Sequence, residues 1–239
     1  MPQSDPHAIL FDLDGTLLDS FASHLRAYQE AFRKIGLRLT EPDFRLHYHP
    51  DWNRFYRSVA VPADRWEIIS HLWREEMAAA PTPAPYLGVA NTLELLGRRA
   101  RLAIVTSGSR PRVAVDLEQN RLAEHFGVVI TGNEVRVPKP APEGLLMALR
   151  ALELEPSEGL FVGDTPADEE MANRAGVPFV AVVSEFTRGR FIGNHPPLAS
   201  VAELPQRLGW VLGGQSTEGP VGARPVGEPD AADEHPPNR

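Results

Sequence analysis

Short, unbroken apolar runs that end abruptly in polar residues bound the architecture of this 239-residue chain more tightly than any other feature. Five such runs occur: Ala8–Asp12, Leu102–Thr106, Val128–Thr131, Leu160–Gly163 and Phe179–Val183. Each is rich in branched residues and too short for a globular helix, so each is expected to be a strand. Continuous apolarity, in place of alternation, predicts burial on both faces. Helix-like segments lie between the runs at Arg112–Phe126, Pro142–Leu152 and Ala167–Ala175, the last stopping at Gly176. This alternation predicts an α/β fold, with a parallel sheet covered by helices on both sides.

The regular spacing breaks once. About ninety residues separate the first two runs, far more than a simple crossover needs. Within that gap Phe21, Leu25, Tyr28, Phe32 and Ile35 form a helical stripe over Ser20–Ile35, with Ser20 as a fair N-cap and Gly36 as a stop. Asp51–Val59 and Ala63–Ala80 also have helical character, and Asn91–Gly97 is a short helix leading into the second strand. A helical insertion is therefore expected over residues 17–85, returning through the stiff stretch containing Pro81, Pro83 and Pro85. The core domain is then 1–16 with 86–212. Residues 213–239 are rich in Gly, Pro and acids, too poor in large apolar groups to offset their ordering entropy, and are expected to be a disordered tail.

Composition narrows the function. The formal charge of −8 argues against nonspecific nucleic-acid binding, which needs a basic surface. A local cation and a lysine can still outweigh that charge inside a cleft and admit an anionic substrate. No apolar stretch reaches the length of a membrane span, Met1–Pro6 does not resemble a signal peptide, and cysteine is absent. A cytoplasmic protein, monomeric or homodimeric, with no membrane or nucleic-acid partner, is expected.

The chemistry gathers where strands end. In a parallel α/β sheet, ligands bind beyond the carboxyl ends of the strands. Asp12 and Asp14 close the first run; side-chain alternation sends them to one side if the extended geometry persists. Two carboxylates that close repel unless a cation sits between them, and Mg²⁺ suits an all-oxygen site. Gly15 then permits a sharp left-handed turn. An Asp-Gly hairpin is the bland alternative, but no paired strand follows. Thr106-Ser107-Gly108 closes the second run, Lys139 follows the third within Val137-Pro138-Lys139-Pro140, and Asp164 and Asp168 follow the fourth. Each alone is commonplace; their ordered recurrence at one sheet edge is not.

In this order and context the four elements resemble the haloacid dehalogenase superfamily of phosphohydrolases, over about residues 7–185. Phe11–Ser20, Pro85-Tyr86-Leu87-Gly88-Val89 and Lys139-Pro140-Ala141-Pro142 look closest to its phosphoglycolate-phosphatase-like branch. The resemblance implies a Rossmann-like core with an inserted α-helical cap domain, and a Mg²⁺-dependent phosphatase of a small phosphorylated metabolite. Asp12 would be the nucleophile, forming an aspartyl-phosphate. Asp14 would be the general acid and base, its pKa raised by nearby Asp12. Its backbone carbonyl would also ligate the metal, beside Asp12 and Asp164. Asp168 would be a further ligand or a helix-capping acid. Thr106 and the N–H groups of Ser107 and Gly108 would hold phosphoryl oxygens, and Lys139 would neutralise the transferring group and orient Asp12.

Substrate choice is expected in the cap. Arg45 and Arg54 could meet a carboxylate or second phosphate, and His47 and His49 lie in a polar, aromatic stretch where related caps carry a glycine-containing loop. Trp52, Trp66 and Trp73 are expected to pack between cap helices, with Trp52 also a substrate-contact candidate. Phosphoglycolate is one candidate substrate among sugar phosphates, nucleotides and pyrophosphate. A phosphotransferase or mutase acting on a sugar phosphate, resembling β-phosphoglucomutase, and a non-catalytic binding module on the same fold are the rivals.

Overall fold

The computed structural model describes residues 5–187 and 196–210; the expected tail at 213–239 lies outside them. Strand β1 (Ala8–Phe11) is the centre of the sheet, and all four of its residues are fully buried. Alternation sends Ile9 and Phe11 into one core cluster and Ala8 and Leu10 into another on the opposite face. Unbroken apolarity is thus the mark of a strand buried on both sides, as expected.

The chain then leaves the sheet through α1 (Phe21–Lys34), α2 (Glu41–His47), α3 (Trp52–Ser58), α4 (Trp66–Ala79) and α5 (Val89–Gly97). It returns as β2 (Arg101–Val105), α6 (Arg110–Gln119), β3 (Val128–Ile130), α7 (Glu143–Ala151), β4 (Gly159–Gly163), α8 (Pro166–Ala175), β5 (Phe179–Ala181) and α9 (Leu204–Arg207). The described residues form a five-stranded sheet in the order β3-β2-β1-β4-β5, every pair parallel. Ile9 is level with Leu102 on one side and Leu160 on the other. The order reverses at β1 and β4, so a crevice opens above their carboxyl ends. Helices α7 and α8 cover one face through Leu145, Leu149 and Met171; α5 and α6 cover the other through Leu93, Leu96, Val113 and Leu117.

Helices α1 to α4 stand over that crevice on a third, aromatic-rich cluster built on Phe21, Tyr28, Phe32, Phe44, Phe55 and Tyr56. The outgoing and returning connections pair: Asp19 N–H donates to the Ala84 carbonyl at 2.9 Å and Tyr86 N–H to the Leu17 carbonyl at 3.0 Å. Among the described residues, no helix is long and apolar enough to cross a membrane.

Three local expectations differ. The helix expected over Arg112–Phe126 starts at Arg110 and stops at Gln119, because Arg121 adopts φ 56°; Ala123–His125 is a separate 3-10 turn. Helix α2 was not expected, although its signal is present: Thr40 Oγ1 accepts the Asp43 N–H at 3.2 Å and Pro42 sits in the first turn. Ser20 occupies the N-cap of α1, but its buried Oγ has no hydrogen-bond partner among the described residues; its carbonyl instead accepts the His24 N–H at 3.0 Å.

Candidate active site

The ends of β1, β2 and β4 each deliver a polar group to the crevice. Asp12 follows β1 directly and continues its ladder, its N–H donating to the Val162 carbonyl at 2.9 Å. Asp164 follows β4, and Thr106 follows β2 with its N–H on the Ile130 carbonyl at 3.0 Å. Gly15 turns the chain at φ 79°; a Cβ there would lie 2.4 Å from Asp164 Oδ2, so glycine is required both by backbone conformation and by space.

Lys139 is buried and reaches the middle of the cluster. Its Nζ donates to Asp12 Oδ1 at 2.6 Å and to Asp168 Oδ1 at 2.8 Å. Asp168 Oδ2 accepts from the N–H and hydroxyl of Thr165 at 3.0 and 2.6 Å, closing a capping box at the start of α8. Asp168 thus caps α8 through one oxygen, as one of its two expected roles requires, while its other oxygen meets Lys139. Asp164 is held by the hydroxyls of Thr16 at 3.1 Å and Ser184 at 2.5 Å.

Asp12, Asp164 and Asp168, all buried, each offer a carboxylate oxygen within 4.8 Å of the others. Burial pushes the Asp12 carboxyl up to about 7 despite Lys139. Burial together with the charges of Asp12 and Asp168 raises Asp164 well above its ordinary range. Burial would lower the Lys139 ammonium, but Asp12 and Asp168 reverse this and raise it. Fully ionised, the three carboxylates would exceed the one ammonium by two negative charges in a buried site whose free donors are oxygens, and the raised carboxyls register that excess. That excess and donor chemistry fit a hard divalent cation such as Mg²⁺.

Asp14 stands outside this cluster. Both of its oxygens are engaged: Arg112 Nη2 binds Oδ2 at 2.5 Å, Arg112 Nη1 binds Oδ1 at 3.1 Å, and His24 Nε2 lies 3.2 Å from Oδ1. Burial pushes the Asp14 carboxyl up, but the Arg112 guanidinium and His24 outweigh it and hold the group far below the usual carboxylate range. This reverses the sense of the shift expected from Asp12 alone. Thr106 Oγ1 accepts the Gly108 N–H at 3.1 Å, so that N–H, expected to face phosphate, already has a partner. Ser107 lines two cavities that flank the site.

The larger cavity, about 690 Å³, lies between the cap helices and Asp14. His49 lines it, as do Trp52, Trp66 and Trp73. Arg45, His47 and Arg54 are not among its lining residues. Arg45 donates to the Glu185 carbonyl at 2.6 Å and carboxylate at 3.0 Å, tying the cap to the core. Arg54 is exposed, 3.8 Å from Asp51. Sequence reasoning missed His24, Arg112, Thr16 and Ser184. A signal existed for two of them: His24 shares the α1 stripe with Phe21 and Tyr28, and Arg112 and Asp116 are spaced i,i+4.

Comparison with known proteins agrees with this geometry. Residues 9–182 match the sequence profile of the haloacid dehalogenase-like hydrolases. A phosphoglycolate phosphatase from Aquifex aeolicus is 31% identical over 70% of this chain and 80% of its own length. Pyrophosphatase PpaX from Oceanobacillus iheyensis is 32% identical over 79% of this chain and 89% of its own. The crystal structure of CbbY from Rhodobacter sphaeroides in complex with phosphate superposes with a TM-score of 0.71 at 26% identity, over 83% of this chain and 96% of that one. The carboxylates at the sheet's switch point, the lysine between them and the helices above thus lie in a chain that belongs to the haloacid dehalogenase-like hydrolase family, in its phosphoglycolate-phosphatase-like branch.

Proposed function

We propose that the protein hydrolyses a small phosphorylated metabolite through a phosphoaspartate at Asp12, with Mg²⁺ held by Asp12, Asp164 and Asp168 and by the backbone carbonyl of Asp14. One observation carries this reading: Lys139 Nζ rests 2.6 Å from Asp12 Oδ1 inside a buried carboxylate cluster. That contact orients the carboxylate and leaves Oδ2, which has no hydrogen-bond partner among the described residues, as the attacking oxygen.

In the first step Asp12 Oδ2 bonds to phosphorus as the bond to the leaving oxygen breaks, and Asp14, once released from Arg112 and protonated, donates its proton to that oxygen. In the second step water attacks phosphorus, its proton passes to Asp14, and the Asp12–phosphorus bond breaks to release inorganic phosphate. In this reading Lys139 offsets charge on the phosphoryl oxygens, and the Thr106 hydroxyl and Ser107 N–H donate to them. When bound, the cation supplies charge neutralisation between nucleophile and phosphoryl group.

The relatives named as phosphoglycolate phosphatases and as a pyrophosphatase make phosphoglycolate and pyrophosphate the first substrates to assay. The test is Asp12→Asn. Phosphate release with Mg²⁺ is expected to fall by at least about 10³-fold with the melting temperature retained, because an amide is a poor nucleophile. A variant that still turns over at a tenth of the parent rate overturns the covalent role.

A further inference from the structure

Two arginines, Arg74 on α4 and Arg112 on α6, line the cap-facing cavity, and Arg112 is the one that borders Asp14 and is already occupied by that internal carboxylate. It projects from the first turn of α6 and lines the same cavity as Asp14, His24 and Gly108. Its side chain is 12% exposed, so it is reachable from the cavity yet largely desolvated. Nη1 and Nη2 grip Asp14 in a two-pronged contact, and Nη1 also donates to Asp116 Oδ2 at 2.8 Å. Its buried Nε has no hydrogen-bond partner among the described residues. Space for this arm is reserved by Gly108: a Cβ there would sit 2.3 Å from Arg112 Nη2. Asp116 anchors the guanidinium from its own helix, so Arg112 can change one partner while keeping the other.

The geometry conflicts with the role given to Asp14. A carboxylate whose two oxygens both accept from cationic or ring N–H groups is held as an acceptor, not as the proton donor that a leaving oxygen needs. A guanidinium that largely desolvated does not let go of its carboxylate without receiving another anion. We infer that Arg112 is the leaving-group recognition residue, exchanging Asp14 for a carboxylate or second phosphoryl group on the substrate's leaving group. Binding of that anion frees Asp14 to face the leaving oxygen. An ester with a neutral leaving group leaves the Arg112–Asp14 pair closed. The substrate class is then a phosphomonoester whose alcohol portion is itself anionic. This rests on the phosphatase reading above and adds to it the residue that selects the substrate.

The experiment compares carbon-matched pairs: 2-phosphoglycolate against ethyl phosphate, and 1,3-propanediol bisphosphate against propyl phosphate. The readout is the ratio of kcat/KM within each pair, from phosphate release with Mg²⁺. In the parent protein at least one anionic member is expected to lead its neutral partner. In Arg112→Met that ratio is expected to fall by roughly 10- to 100-fold, the worth of a charge-assisted fork to an anion. In Arg112→Lys, which keeps the charge and loses the fork, an intermediate ratio is expected. Gly108→Ala, which crowds the arm without removing it, should lower the ratio through a raised KM for the anionic ester. Whichever pair shows the effect tells a carboxylate from a second phosphate. If a variant fails to fold, the other two still report. Ratios near one in the parent, or ratios unchanged in the folded variants, overturn the inference while the phosphatase reading stands. No phosphate released from any ester overturns that reading, and the inference with it.

Discussion

Lys139 and Arg112 divide the buried anions of this site between them. Lys139 answers Asp12 and Asp168, and Arg112 answers Asp14 and Asp116. Asp164 is met by hydroxyls from Thr16 and Ser184, which stabilise a charge without cancelling it. The uncancelled charge predicts how the protein responds to a divalent ion. Mg²⁺ at about 100 times its dissociation constant should stabilise the fold by about 2.7 kcal/mol, a rise in melting temperature of about 5–10 °C for a chain of this size. Asp164→Asn should remove more than half of that rise. Thermal melts with and without Mg²⁺ decide the matter, and an undiminished rise in the variant would take Asp164 out of the cation site.

Helix α6 is seated by its first turn. Arg110 donates its N–H to Asn133 Oδ1 at 2.8 Å, its Nε to Glu134 Oε1 at 2.6 Å and its Nη2 to the Val129 carbonyl at 2.8 Å. Glu134 Oε2 also accepts from the N–H and hydroxyl of Thr131, both at 2.7 Å. The hydrogen bond from Arg110 is the main reason the Glu134 carboxyl falls to about 2 from its ordinary 4.5. A depressed acid stabilises the fold fully above its unfolded pKa and loses that contribution as pH falls through the folded one. The Glu134 contribution is thus complete above pH 4.5 and fades toward pH 2. Glu134→Gln should therefore melt below the parent at pH 7, with the gap closing as pH drops through that window. A gap of constant size would show that the charge is not what seats α6. The loop matters to the site because Gly132 N–H, two residues before Glu134, bonds the Gly108 carbonyl at 2.9 Å beneath Thr106–Gly108.

Cap and core meet through side chains as well as linkers. Phe186, in the loop after β5, is 1% exposed and packs into the cap's aromatic cluster, 4.5 Å from the Tyr48 ring centroid and 5.1 Å from that of Phe21. Beside it the Arg45 fork grips Glu185 while lying 4.0 Å over Phe21. Both contacts fix the position of the cap on the core beside the cavity above Asp14. Phe186→Ala and Phe32→Ala should each cost about 3–5 kcal/mol, since both rings are buried. Phe32 lies within the cap, so its loss should leave turnover within about threefold of the parent. Phe186→Ala should lower kcat/KM by about tenfold or more, because the cap loses its register on the core. Equal kinetic effects in the two variants, assayed well below their melting temperatures, would remove Phe186 as the coupling point.

Much of this was legible from one dimension. The apolar runs specify β1, β2 and β4 because a strand buried on both faces needs no partner's identity to be recognised. The end of each run then places Asp12, Thr106 and Asp164 at one edge of a parallel sheet. Gly15 and Gly176, at φ 79° and 71°, were marked by the glycine itself, because the left-handed backbone disfavours other residues. What the linear pattern left open were the partners of those groups. Arg112 meets Asp14 across 98 positions and Lys139 meets Asp12 across 127, and no local rule states which cation faces which acid. Proximity in sequence made Asp12 look like the neighbour that governs Asp14, whereas the folded chain interposed a guanidinium and inverted the shift. Strand ends follow from local periodicity, but the electrostatics of a site depend on which distant side chains converge, and packing alone settles that.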